Sequence, residues 1–305
     1  MNENTLMKVA NGLSANIQCL KNPGLLHGKM GATIFLYHYA RYSGCSVYSD
    51  LADYQMKEIF IARHNLPGSF VNGMSGIGWG IHYLIREEFI NGKENILADI
   101  ENRFYSIIQQ YANEDMLDVG LYFACCRPGL LNELLSSMLA KQITGLLSSG
   151  CHALGILNKV MALTLHMPIH NVHPYEKMLF SAFLYAIEAQ LFRLSDLICC
   201  KDILKAFGEK SANNVWDKLS GRCEIILQDR DLRKDRLETV WQHLVFLDGK
   251  NPTGFDMEWT TALVSKILND LNEPDLFLSC GLPAVGLDML LNCVNEILPM
   301  NGRFP

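Results

Sequence analysis

Gly24-Leu25-Leu26-His27-Gly28-Lys29-Met30-Gly31, leading into the apolar run Ala32 to Tyr39, decides how this chain is read. The pattern recurs. Gly73-Met74-Ser75-Gly76-Ile77-Gly78-Trp79-Gly80 opens a second apolar segment, Gly150-Cys151-His152-Ala153-Leu154-Gly155 a third and Gly281-Leu282-Pro283-Ala284-Val285-Gly286 a fourth. A helix apolar on every side is an enclosed helix. Small residues in its first turn let another backbone approach, and glycine takes the turn conformations that lead in. The repeat therefore predicts inner helices that begin at or just after Gly28, Gly73, Gly150 and Gly281.

Between the turns the periodicity changes. Leu6, Ala10, Leu13, Ile17 and Leu20 fall at helical spacing, as do Leu97, Ile100, Phe104, Ile107 and Tyr111, and each set marks one buried stripe. Amphipathic helix, glycine turn and enclosed helix thus alternate. Gly28 and Gly73 stand 45 residues apart, and seven such units would fill the 305 residues. No strand alternation is found. The reading is all-α, a single domain over 1–305 with 12 to 14 helices in two layers.

Composition narrows the function classes. Hydrophobic residues are 49% and charged residues 19%, enough for a large core. A formal charge of −6 excludes a basic nucleic-acid surface. No uncharged apolar run reaches the roughly 18 residues of a membrane span. Met1-Asn2-Glu3-Asn4-Thr5 is polar and acidic, which predicts no secretory signal. Ten cysteines without a Cys-x-x-Cys read as reduced, buried thiols of a cytoplasmic protein.

The first, second and last glycine turns resemble those of the lanthionine synthetase C (LanC-like) family. The likeness is good over residues 20 to 90 and 275 to 298, weak near 117 to 160 and absent between. The resemblance implies an α,α-toroid, with inner helices around a cavity, and peptide modification as the process served. Active members of that family use zinc to hold a peptide cysteine as thiolate. They add it across a dehydrated Ser or Thr, and an acid-base group handles the enolate. Their zinc ligands are a Cys in a Trp-Cys-x-Gly turn and a Cys-His pair before a turn glycine. This chain contains no Trp-Cys, and its one Cys-His pair, Cys151-His152, follows Gly150.

His27 matches the family's His-Gly turn, which implies an acid-base role; the other reading is a polar residue capping the Gly28 turn. Cys280, Cys151 and His152 are the substitute metal ligands, with His27 beside them. No cofactor is predicted from the residues themselves, and zinc is what the resemblance would bring. His166, His170 and His173 resemble a metal motif, but Pro168 and Pro174 predict a loop there. The run Phe35, Tyr37, His38, Tyr39, Tyr42 reads as core packing or a cavity wall. Asp115, Asp118, Asp256 and Glu258 are the carboxylates a hydrolase would draw on. Two classes of function stand. One is a non-catalytic, peptide-binding or accessory component of ribosomal-peptide modification. The other is an enzyme, a divergent zinc-dependent thioether cyclase or a hydrolase on the same toroid. Neither composition nor spacing fixes an oligomeric state.

Overall fold

The computed structural model describes residues 3–62, 66–92, 94–110, 113–211, 213–228, 230–247, 257–279 and 281–297. Among them are fourteen α-helices and no strand. They are α1 Glu3–Asn16, α2 Lys29–Ser43, α3 Ser46–Ala62, α4 Met74–Arg86, α5 Ala98–Gln110, α6 Glu114–Cys126 and α7 Glu133–Ser148. The rest are α8 Leu154–His166, α9 Ile169–Glu188, α10 Leu194–Ser211, α11 Asn214–Leu227, α12 Arg233–Phe246, α13 Met257–Asn269 and α14 Leu282–Ile297. No helix of the described residues is long and apolar enough to cross a membrane.

The described residues fall into two compact units. Unit 1 lies within Met1–Leu66, Val71–Asn91 and Lys250–Pro305, and unit 2 within Pro67–Phe70 and Gly92–Gly249. In unit 1, α2 packs against both α4 and α14, and α1, α3 and α13 lie behind them. In unit 2 the succession α6, α8, α10, α12 forms one row, and α5, α7, α9 and α11 form the row behind it. Both units are therefore two layers of helices.

The sequence pattern accounts for the layering. The inner helix α2 buries every residue from Met30 to Tyr37, and α4 buries Met74 to Ile81 without a break. The outer helix α3 buries only Ala52, Gln55, Met56 and Ile59, and α7 only a stripe from Leu135 to Leu147. On α1 the stripe Leu6, Ala10, Leu13 is fully enclosed. On α5 the stripe steps from Phe104 to Ile108 rather than to Ile107, one residue off the expected register, and Tyr111 lies outside the described residues.

Three of the four expected starts hold: α2 begins after Gly28, α4 after Gly73 and α14 after Gly281. Of the two reasons expected, close backbone approach holds and a special turn conformation does not. Gly28 and Gly73 are extended, with φ of −155° and −121°, a conformation open to any residue. What excludes other residues at Gly28 is space. A Cβ there would lie 2.7 Å from the backbone nitrogen and oxygen of Gly24. One on Gly24 would lie 2.5 Å from the Cα of Asn72. The turns are pressed backbone to backbone. The Leu26 N–H donates to the Val71 carbonyl at 2.9 Å, and the Leu26 carbonyl accepts from the Ser279 N–H at 3.3 Å.

The fourth start is displaced. Gly150 has a left-handed φ of 81° and closes α7, its N–H donating to the Leu147 carbonyl; α8 begins only at Leu154. A left-handed glycine after the last turn is a stop signal, so this motif ends one helix rather than opening the next. The predicted loop at 166–174 also gives way to helix. Pro168 sits at the N-cap of α9, where no N–H is needed, and Pro174 is carried inside it at the loss of one hydrogen bond. Cysteine burial is mixed: Cys126, Cys199, Cys200 and Cys223 are buried free thiols, whereas Cys19 and Cys45 are exposed.

Two substitutions test the packing of the glycines. Gly28→Val is expected to destabilise the chain by about 2 kcal/mol or more, through overpacking against rigid backbone. Gly221, inside α11, has nothing within 4 Å of a built Cβ, so Gly221→Ala should stabilise by about 0.5–1 kcal/mol. Urea unfolding of both variants measures the difference in sign.

Candidate functional site

The residues expected to carry chemistry are spread over both units. His27 lies in unit 1, half-buried, its ring stacked on Phe277 with centroids 4.8 Å apart. Burial holds its imidazole below the ordinary histidine range. Cys151 and His152 lie in unit 2, in the three-residue segment between Gly150 and α8 rather than on the helix. Cys280 lies outside the described residues, as does Asp256. Cys151 is half-buried. Desolvation pushes its thiol up, against the pull of the Ala153 N–H, and the charge of Glu114 adds to the rise. An activated thiolate needs the opposite environment. Among the described residues no three His, Cys, Asp or Glu side chains gather as metal ligands.

Of the carboxylates, Asp118 is already paired. Asp118, buried on α6, pairs with the Lys159 ammonium of α8 at 2.7 Å and accepts the Phe70 N–H at 2.8 Å. Burial works against the Lys159 charge, but Asp118 and Glu114 outweigh it and hold the ammonium above its ordinary range. This pair joins two inner helices; it is not a free acid. In unit 1, His38 is hydrogen-bonded to the Tyr83 hydroxyl at 2.7 Å, and burial pushes it down to about 3, so its ring is neutral core.

What the structure does build is a groove at His152. Leu147 from the end of α7 and His152 flank one face of α9, formed by Lys177, Met178, Ser181, Ala182 and Tyr185. The space along it is open and about 540 Å³, within the size range of ligand sites. Leu147, Met178 and Ala182 supply an apolar floor; Lys177, Ser181, His152 and Tyr185 supply polar tips. The His152 ring lies against Tyr185, centroids 4.7 Å apart, and Tyr185 remains 52% exposed. The His152 Nδ1 is enclosed without a hydrogen-bond partner.

Only His152 of this groove was singled out in the sequence. Lys177, Ser181 and Tyr185 recur every four residues on α9, opposite the buried stripe Val172, Tyr175, Leu179, Phe183. A polar stripe of that kind reads as a solvated face. The signal that it is a groove wall comes from Leu147 and His152 rising beside it, which no local pattern reveals. No family model, no curated protein and no solved structure matches this chain.

One further histidine was missed altogether. His243 of α12 is buried, its Nδ1 2.9 Å from the Thr239 carbonyl and its Nε2 3.0 Å from the Asp202 carboxylate of α10. With a carbonyl facing one nitrogen and a carboxylate facing the other, the ring is held at both ends. The dyad is a clamp between α10 and α12. Burial raises the Asp202 carboxyl, but the hydrogen bond from His243 and the charges of His243 and Lys201 outweigh it, and the net shift is downward. A carboxyl depressed in the folded state stabilises above its unfolded value, about 3.9, and loses that contribution as pH falls through the folded value. Asp202→Asn is therefore expected to melt below the wild type at pH 6 to 7, with the gap closing below about pH 4. Thermal melts across that range provide the check.

Proposed function

We propose that the chain is a non-catalytic, peptide-binding protein of LanC-like type, acting as an accessory component in ribosomal-peptide modification. The observation that carries the reading is the groove along α9 beside His152. It combines an apolar floor with a few polar groups that can orient a ligand. Two further observations support it. Cys151 is kept as thiol by burial, and the rings of His27 and His152 are both packed against aromatic neighbours. The toroidal arrangement belongs to the same proposal. It is supported by the two-layer rows within each unit and, in unit 1, by the last helix α14 packing beside α1 and α2.

Calorimetric titration of the full chain with a dehydrated, cysteine-containing peptide tests the proposal, with thiol titration and zinc analysis alongside. Binding with no loss of free thiol and no cleavage of the peptide is the expected result. Absence of binding overturns it. Loss of thiol together with one zinc per chain, removed by Cys151→Ala or Cys280→Ala, replaces it with the divergent cyclase. Cleavage of the peptide, seen by mass, replaces it with a hydrolase.

A further inference from the structure

We infer that the α9 groove selects an apolar or aromatic peptide segment that carries one carboxylate, with Lys177 as the residue that reads the charge. The inference rests on the peptide-binding reading above and names the ligand chemistry of its site. The argument starts from the spacing along α9. Lys177, Ser181 and Tyr185 lie on one stripe, so the backbone positions of the first and last are eight residues apart, about 12 Å along the helix. The groove is thus an elongated trough with a cation near one end and an exposed aromatic near the other.

Lys177 makes no ion pair among the described residues. The acid nearest to it in sequence, Glu176, is turned to His173 and to the Trp216 indole N–H. A cation beside an apolar floor without a counter-charge attracts an anionic group. Its neighbours Met178 and Ala182 are apolar, so a compact anion alone would leave the trough unfilled. At the far end, Tyr185 presents 52% of its surface and offers a face for stacking, with the His152 ring packed against it. Ser181, between them, can donate to or accept from a peptide backbone group. A carboxylate at one end, a backbone group in the middle and an apolar or aromatic side chain at the other fit this order of groups. The carboxylate can come from an acidic side chain or from a peptide's own C-terminus.

Isothermal titration of the full chain with three unlabelled tetrapeptides separates these outcomes. All begin with leucine and phenylalanine. One ends in aspartate amide, one in asparagine with a free C-terminal carboxylate and one in lysine amide. At least one carboxylate probe is expected to bind tenfold or more tightly than the lysine probe. Which one does so identifies the source of the charge. Lys177→Ala is expected to abolish the difference and Lys177→Glu to reverse it, with the melting temperature of both variants unchanged. Equal binding of all three probes, or a ranking unaffected by Lys177→Glu, overturns the inference. If the long dehydrated peptide still binds the Lys177→Glu variant with unchanged affinity, the groove assignment fails while the peptide-binding reading stands; if it binds neither protein, both fail.

Discussion

Leu26 is almost fully enclosed, and its peptide groups must find partners inside the protein. They find them on two other turns: Val71 accepts from its N–H, and Ser279 donates to its carbonyl. An enclosed backbone group left unpaired costs roughly 1–3 kcal/mol, so the three turns cannot separate cheaply. The remaining architecture of unit 1 follows from this seam. Its turns meet only because glycine leaves the room, and each launches an inner helix from the same place. Helices that start together and run together must bury one another's sides, which is why α2 and α4 are apolar all round.

Unit 2 solves the same packing problem with different chemistry. Its inner helices carry polar links where unit 1 has glycine turns. Asn113 caps α6 through the Met116 N–H. Lys159 of α8 reaches Asp118 of α6, Asn158 of α8 donates to the Asp196 carbonyl of α10, and Gln242 of α12 donates to the Asp196 carboxylate. Asp196 also takes the guanidinium of Arg193, and Gly155 of α8 gives the Asp196 carboxylate room to approach. Buried polar links are directional where apolar packing is not, so they hold each inner helix at a defined height against its neighbour.

These differences explain what could be read from the residues alone. The helical class, the two layers and three of the four glycine starts were legible because periodicity and close-packed glycines are local signals. Gly150 misled because one residue type serves both to open a turn and to end a helix, and only its φ distinguishes them. His243 was invisible because its meaning depends on Asp202, 41 positions away. The groove was half-visible: His152 stood out as part of a rare pair, whereas Lys177 and Tyr185 looked like ordinary solvated positions until their neighbours across α9 were placed. Sites assembled from separate elements carry no periodic trace in the chain.

The seam at Leu26 also has a consequence for the order of synthesis. Its first two turns leave the ribosome early, but the third is made from residues that follow the whole of unit 2. Until Ser279 emerges, the Leu26 carbonyl lacks its partner and the flank of α2 that will meet α14 stands bare. The stretch from Gly92 to Gly249 is nearly continuous in sequence, so it can complete its helix rows while unit 1 is still waiting. Vectorial synthesis therefore favours the middle of this chain finishing first, with its first-made helices held open for its last.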